Sequence, residues 1–148
     1  MGALTLAAMH GRRVYFDTNV FIYFLDRNED YFDKCLPLFQ AVEEGLMTGV
    51  TGELTIAELL VKPMSNNNIV GAEKVRALFD DPGYFQALPH DRGTLELAAQ
   101  IRATQKLSMI DAIHLSTAIK AQCSHIITND EQLALRAQGI EVVRLESD

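Results

Sequence analysis

The sequence predicts an α/β domain on a mostly parallel sheet, and three observations carry that reading. Short apolar runs rich in strand formers alternate with segments of helical spacing along the whole chain. No internal repeat, low-complexity tract or second-domain linker interrupts them. The 148 residues suit one core of ordinary size, not two. Strands alternating with helices imply helices on both faces of the sheet, with ligands beyond the carboxyl ends of the strands.

The elements follow in order. Residues 1–12 are expected to be a loose leader, and residues 13–148 a single domain. Ala3 to Met9 is apolar, but no basic segment precedes it, and Arg12 and Arg13 stand where a signal-peptide cleavage site would need small residues. Val14-Tyr15-Phe16 reads as the first strand, Asp17-Thr18-Asn19 as a turn, and Val20 to Leu25 as a helix with no clear polar face. Tyr31 to Glu44 has apolar residues at Phe32, Leu36, Phe39 and Val42, a helical spacing, with Gly45 as a stop.

Leu46 to Val50 reads as the second strand and Gly49-Val50-Thr51-Gly52 as a glycine-spaced turn that lacks a phosphate-loop lysine. Thr55 to Leu60 opens a helix that Pro63 should end. Val70 to Phe79 is a helix closed by Asp80-Asp81-Pro82-Gly83, and Tyr84 to Leu88 a strand. Asp91 to Gln105 is a helix with its apolar stripe at Leu95, Ala98, Ala99 and Ile101, and Ile110 to Ala121 is another. His125 to Thr128 is a strand, Glu131 to Ala137 a helix stopped by Gly139, and Glu141 to Val143 the last strand.

Composition excludes several classes. Just under half of the residues are apolar and no run reaches the roughly 18 apolar residues of a membrane span. The expected setting is therefore cytoplasmic, with no membrane partner. The net charge of −7 argues against a general nucleic-acid binder. It argues less against a metal-dependent nuclease, because a bound cation neutralises part of it. Cys35 and Cys123 show no C-x-x-C or zinc spacing and are expected to be reduced, buried thiols.

The informative residues are four acids. Asp17 follows the first strand, Glu58 and Asp111 are expected in first turns of helices, and Asp130 follows the strand ending at Thr128. Asp17 and Asp130 should emerge on one carboxyl edge, where Glu58 can join them. Crowded carboxylates raise one another's pKa unless a cation intervenes. Magnesium suits such a site because it takes oxygen ligands, commonly one or two carboxylates plus waters. The structural reading of the same residues is capping: Thr55-x-x-Glu58 and Ser108-x-x-Asp111 fit capping boxes, and Asp17 or Asp130 suit N-caps.

Four motifs in order carry a resemblance over nearly the whole chain from Val14 onward: Val14-Tyr15-Phe16-Asp17-Thr18-Asn19-Val20, Thr55-x-x-Glu58, Asp111-Ala112-Ile113-His114-Leu115, and Ile127-Thr128-Asn129-Asp130. The chain resembles the PIN-domain ribonucleases, in particular the small VapC-like toxins of toxin–antitoxin systems. The resemblance implies a three-layer α/β/α domain and a Mg2+- or Mn2+-dependent site for RNA cleavage. It implies Asp17, Glu58, Asp111 and Asp130 as the acids, with Asp17, Asp111 and Asp130 touching metal and Asn19 and Thr128 supporting them by hydrogen bonds. It further implies a cognate antitoxin and a homodimer.

Competing readings stay beside this one. An aspartyl-nucleophile phosphatase would also place Asp17 after the first strand, but Asn19 stands where its second aspartate is needed. A non-catalytic interaction module would keep the acids only as caps. His114, one turn beyond Asp111, is expected to be a packed or hydrogen-bonded histidine outside the site, and His90 and His125 have no carboxylate-serine or metal-ligand pattern around them. Lys62, Lys74, Arg76, Arg102 and Lys106 are read as solvated surface.

Overall fold

The computed structural model describes residues 3–80 and 84–145. Its strands are β1 (Arg13–Phe16), β2 (Thr48–Gly52), β3 (Gln86–Leu88), β4 (His125–Ile127) and β5 (Glu141–Val143). They form one sheet in the order β3-β2-β1-β4-β5, and every neighbouring pair is parallel. In the central strand, Tyr15 faces Val50 on one side and Ile126 on the other. The strand order departs in both directions from β1, so the loops leaving β1 and β4 diverge and open a crevice at the carboxyl edge.

The helices are α1 (Ala3–Ala8), α2 (Thr18–Leu25), α3 (Phe32–Glu43), α4 (Glu53–Ser65), α5 (Ile69–Asp80), α6 (Arg92–Gln105), α7 (Met109–Lys120) and α8 (Glu131–Arg136). Successive side chains of a strand point to opposite faces, and β1 shows it. Val14 and Phe16 enter one core with residues of α2 to α5, whereas Tyr15 enters a second core with residues of α6, α7 and α8. Two cores on the two faces make the three layers expected of a PIN-like fold. The first is aromatic: Phe16, Phe21, Phe39 and Phe85 pack with ring centroids between 4.8 and 6.0 Å apart. Cys35 and Cys123 are free and buried, and burial pushes their thiols up to about 12 and about 11.

Several expectations are corrected. From Ala3 the expected leader is ordered: Ala3–Ala8 is helical, Met9 is fully buried and the Gly11 amide donates to Leu46 O at 2.7 Å. The Gly49 to Gly52 segment is strand, not turn. A Cβ at Gly49 would come within 2.6 Å of the Phe85 ring, so the missing side chain serves packing. Pro63 does not end α4, which runs on to Ser65 because the Asn66 and Asn68 amides meet the Lys62 and Pro63 carbonyls. In α6 the buried residues are Thr94, Ala98 and Ile101, while Leu95 and Ala99 are exposed. The turn expected to close α5 includes residues 81–83, outside the described residues.

Candidate active site

Asp17 leaves β1 at the crevice and serves as N-cap of α2, its Oδ1 accepting from the Thr18 amide at 2.9 Å. Its Oδ2 accepts from the Thr128 hydroxyl at 2.6 Å and from Asn19 Nδ2 at 3.3 Å. Thr128 Oγ1 in turn accepts from the Asp130 amide at 3.0 Å, which ties the loop after β4 to Asp17. Asp130 caps α8 by accepting from the Leu133 amide at 2.8 Å. Asp111 lies in the first turn of α7, where Ser108 is the N-cap and accepts from the Asp111 amide. Capping and convergence therefore coexist: the helix starts that need acceptors are the ones assembled around the crevice.

Burial pushes the Asp17 carboxyl above its ordinary value, against the His114 charge and the Thr128 and Thr18 hydrogen bonds, and Asp130 adds to the rise. Burial, then Asp130, raise Asp111 too, with Asp17 contributing, against a hydrogen bond from Ser108. The Asp130 charge thus opposes the ionisation of both Asp17 and Asp111, and that of Asp17 adds to the rise of Asp111. Ion pairs at Lys62–Asp26, Arg76–Glu73 and Arg92–Glu96 lie away from these aspartates.

Glu58 joins by another route. It sits in the second turn of α4, not the first, because that helix begins at Glu53. Nor is Thr55 a cap: it lies inside α4, where its hydroxyl bridges those of Thr51 and Thr18. Glu58 Oε1 accepts from the Thr18 hydroxyl at 2.6 Å and pairs with His114 Nε2 at 3.0 Å. Burial pushes this carboxyl up, but the His114 and Thr18 hydrogen bonds and the His114 charge outweigh it and hold Glu58 below its usual range.

His114 is the residue that sequence reasoning left out. It is buried and hydrogen-bonded as expected, yet its Nε2 lies 3.0 Å from Glu58 and 3.8 Å from Asp17, while Nδ1 pairs with the Tyr15 hydroxyl at 2.7 Å. Burial depresses its pKa, but the Glu58 hydrogen bond and the Asp17, Glu58 and Asp111 charges prevail and raise it. Facing an ionised acceptor, Nε2 carries a proton. The available signal was the i,i+3 spacing of Asp111 and His114, which puts both on one face of α7.

The donor set is oxygen-only at the aspartates and suits a hard divalent cation. It is not a ready three-ligand cage: among the described residues no three acids, imidazoles or thiols stand close enough to grip one ion. Magnesium needs fewer, since one or two carboxylates and several waters complete its shell. Beside Glu58 a groove of about 300 Å³ runs between α4 and α5, with Ile22, Leu59 and Val75 on its apolar part and Lys62 and Lys74 on its rim. A larger cavity of about 450 Å³ lies away from the aspartates, against β5 and α1. There His125 lies between Ser124 at 2.6 Å and Glu141 at 2.9 Å. His125 and Glu141 open β4 and β5, at the sheet edge opposite the acids, and Glu141 is largely exposed.

The PIN-domain family model matches residues 14–138, so the chain belongs to the PIN-domain family. Its fold is similar to that of VapBC2 from Rickettsia felis bound to a promoter DNA fragment, with a TM-score of 0.71, 12% identity, and 89% of this chain and 98% of that one covered. A toxin–antitoxin complex from Klebsiella pneumoniae gives a TM-score of 0.68 at 21% identity, over 91% of this chain and 99% of that one. Mycobacterium tuberculosis VapC20, described as a toxin that cleaves the sarcin–ricin loop, gives 0.68 at 11% identity, over 86% and 98%. A comparison with curated protein sequences gives no match.

Proposed function

We propose that the protein is a Mg2+- or Mn2+-dependent endoribonuclease, the toxin of a toxin–antitoxin pair, acting in the cytoplasm. The observation that carries the reading is the buried Asp17 carboxylate, raised in pKa beside Asp130 and within the electrostatic reach of Asp111, in a family of nucleases. One or two of Asp17, Asp111 and Asp130 would hold the cation, with waters completing its shell, and Glu58 would complete the acidic site. When bound, the ion supplies positive charge to the phosphodiester and a Lewis acid for the attacking water. Asn19 and Thr128 fix the Asp17 carboxylate by donating to Oδ2, leaving its orientation little freedom. His114 holds Glu58 and offsets part of the negative charge.

Cleavage of a panel of structured RNAs with magnesium, manganese or chelator, beside Asp17→Asn, tests this. The expected outcome is metal-dependent cutting that falls at least about 100-fold in the variant. Full activity in a folded Asp17→Asn protein overturns it. Absence of both cutting and metal binding favours the interaction-module reading, which the capping roles of Asp17 and Asp130 support.

The similar structures include toxin–antitoxin complexes, which supports a cognate antitoxin as partner. A homodimer is supported by apolar side chains open to solvent where α4 meets α5: Val61, Met64, Ile69 and Val70 are 53–78% exposed. Light scattering at micromolar concentration should give twice the chain mass, and a monomer at every concentration removes the dimer.

A further inference from the structure

Two part-buried bridges connect α7 to α4, one helical turn apart on each helix. The first runs from Tyr15 Oη through His114 to Glu58, with contacts of 2.7 and 3.0 Å. The second runs from Thr117, one turn beyond His114 on α7, through His90 to the amide of Leu54, one turn before Glu58 on α4. There His90 Nδ1 lies 2.9 Å from Thr117 Oγ1, and Nε2 lies 3.0 Å from Leu54 N.

Proton accounting fixes the second bridge. A backbone amide only donates, so His90 Nε2 must be bare and accept from Leu54, and the neutral ring carries its proton on Nδ1. That proton goes to Thr117 Oγ1, whose own hydrogen goes to Ile113 O at 2.7 Å. Each hydrogen in the chain has one acceptor.

The bridge also supplies what α4 lacks. Its N-cap is Gly52, which has no side chain to accept from the first amides of the helix. His90, arriving from the end of β3, provides the acceptor instead. The approach requires glycine: a Cβ at position 52 would lie 2.3 Å from His90 Cε1 and 3.1 Å from Tyr15 Oη.

We infer that His90, Thr117 and His114 are positioning residues whose two parallel bridges between α7 and α4 set where Glu58 stands relative to Asp17 and Asp111. The Thr18 and Thr51 hydroxyls also hold α4 at Thr55 and Glu58, and the His90 bridge adds a tie at its first turn that resists rotation and slide of the helix. Asp111 and Glu58 sit on the two helices so joined, and a misplacement of about 1 Å at such a site costs up to 100-fold in rate. The inference rests on the nuclease reading for its kinetic arm only.

The test uses the full chain and the isosteric pair Thr117→Val and Thr117→Ser. Valine removes the hydroxyl and keeps the shape, while serine restores it. NMR of the Glu58 side-chain carboxyl carbon, assigned by its loss in Glu58→Gln, reads position without any reaction. The expected result is a displaced Glu58 signal in Thr117→Val, the wild-type signal in Thr117→Ser, and ring nitrogens of His90 that report the Nδ1–H tautomer in the wild type. An unmoved Glu58 signal in a folded Thr117→Val protein, or a proton on His90 Nε2, overturns the inference whether or not the protein cuts RNA. Where RNA is cut, Thr117→Val should lower kcat on the order of tenfold with KM within about twofold, and Thr117→Ser should restore it. A kcat equal to wild type in Thr117→Val also overturns it.

Discussion

At the scale of single residues, Asp17 concentrates the tension of the site. Asp17 is 5% exposed and its carboxylate accepts three hydrogen bonds, yet its pKa is raised because burial, with Asp130, outweighs them and the His114 charge. Metal-free, the folded protein then binds more protons than the unfolded chain above the ordinary Asp value of 3.8. Since stability falls with pH wherever the native state binds the extra proton, Asp17 and Asp111 weaken the fold as pH rises through their raised values. His114, also raised, adds stability fully present below 6.5 and lost as pH climbs through its folded value. His90, lowered by burial and then by His114, acts oppositely, favouring the fold as it loses its proton. Glu58 and Asp91, held low, act only below their ordinary values, so the Tm of wild type relative to Asp17→Asn, measured in chelator, should fall as pH rises above 3.8. Asp17→Asn should flatten the profile, and an unchanged slope in that variant would assign the effect to other groups.

The placement of Asp17, Asp111 and Asp130 at strand ends and helix starts was legible in the sequence, whereas Glu58 lies one helical turn later than its capping-box spacing suggested. His114 and His90 were not legible, because their meaning depends on Tyr15, Glu58, Leu54 and Thr117, which only the fold brings to them. A histidine in an apolar helix looks the same from sequence whether it packs or holds a carboxylate. The pairing of His125 with Glu141 was hidden likewise, since it depends on the register of β4 with β5.

At the scale of elements, periodicity located nearly every strand and helix, and the errors have local causes. Glycines at 49 and 52 suggested a turn, but the strand needs them for the close approach of Phe85 and His90. Pro63 suggested a stop, but lost only one amide in the last turn of α4. The helix starts carry the site, so capping and function can be separated by mutation. Ser108 caps α7, the element that bears Asp111 and His114, through its acceptance from the Asp111 amide at 3.2 Å. Ser108→Ala should cost about 1 kcal/mol of stability in urea unfolding. Ser108→Asp should recover the cap but add a fourth carboxylate beside Asp111, raising its pKa further. Equal stability of wild type and Ser108→Ala would mean that solvent satisfies the Asp111 amide instead.

At the scale of the whole molecule, a net charge of −7 and a cluster of mutually opposed aspartates point the same way. The folded chain carries repulsion that the unfolded chain, with its acids dispersed, does not. A divalent cation that binds only the folded state removes that repulsion and adds binding energy, and the gain follows mass action. At a hundred times its Kd such an ion stabilises by about 2.7 kcal/mol. For a chain of 148 residues, at about 2–4 °C per kcal/mol, the Tm should rise by about 5–10 °C. Manganese added to the chelator-treated protein at that ratio should produce the shift, and calcium, larger and wanting six to eight oxygens, should produce less. The contrast with Asp17→Asn decides its origin. If the ion works through the crevice, the variant loses most of the rise; a rise of equal size in both proteins would mean that manganese acts on the general negative charge of the surface and not on the three aspartates.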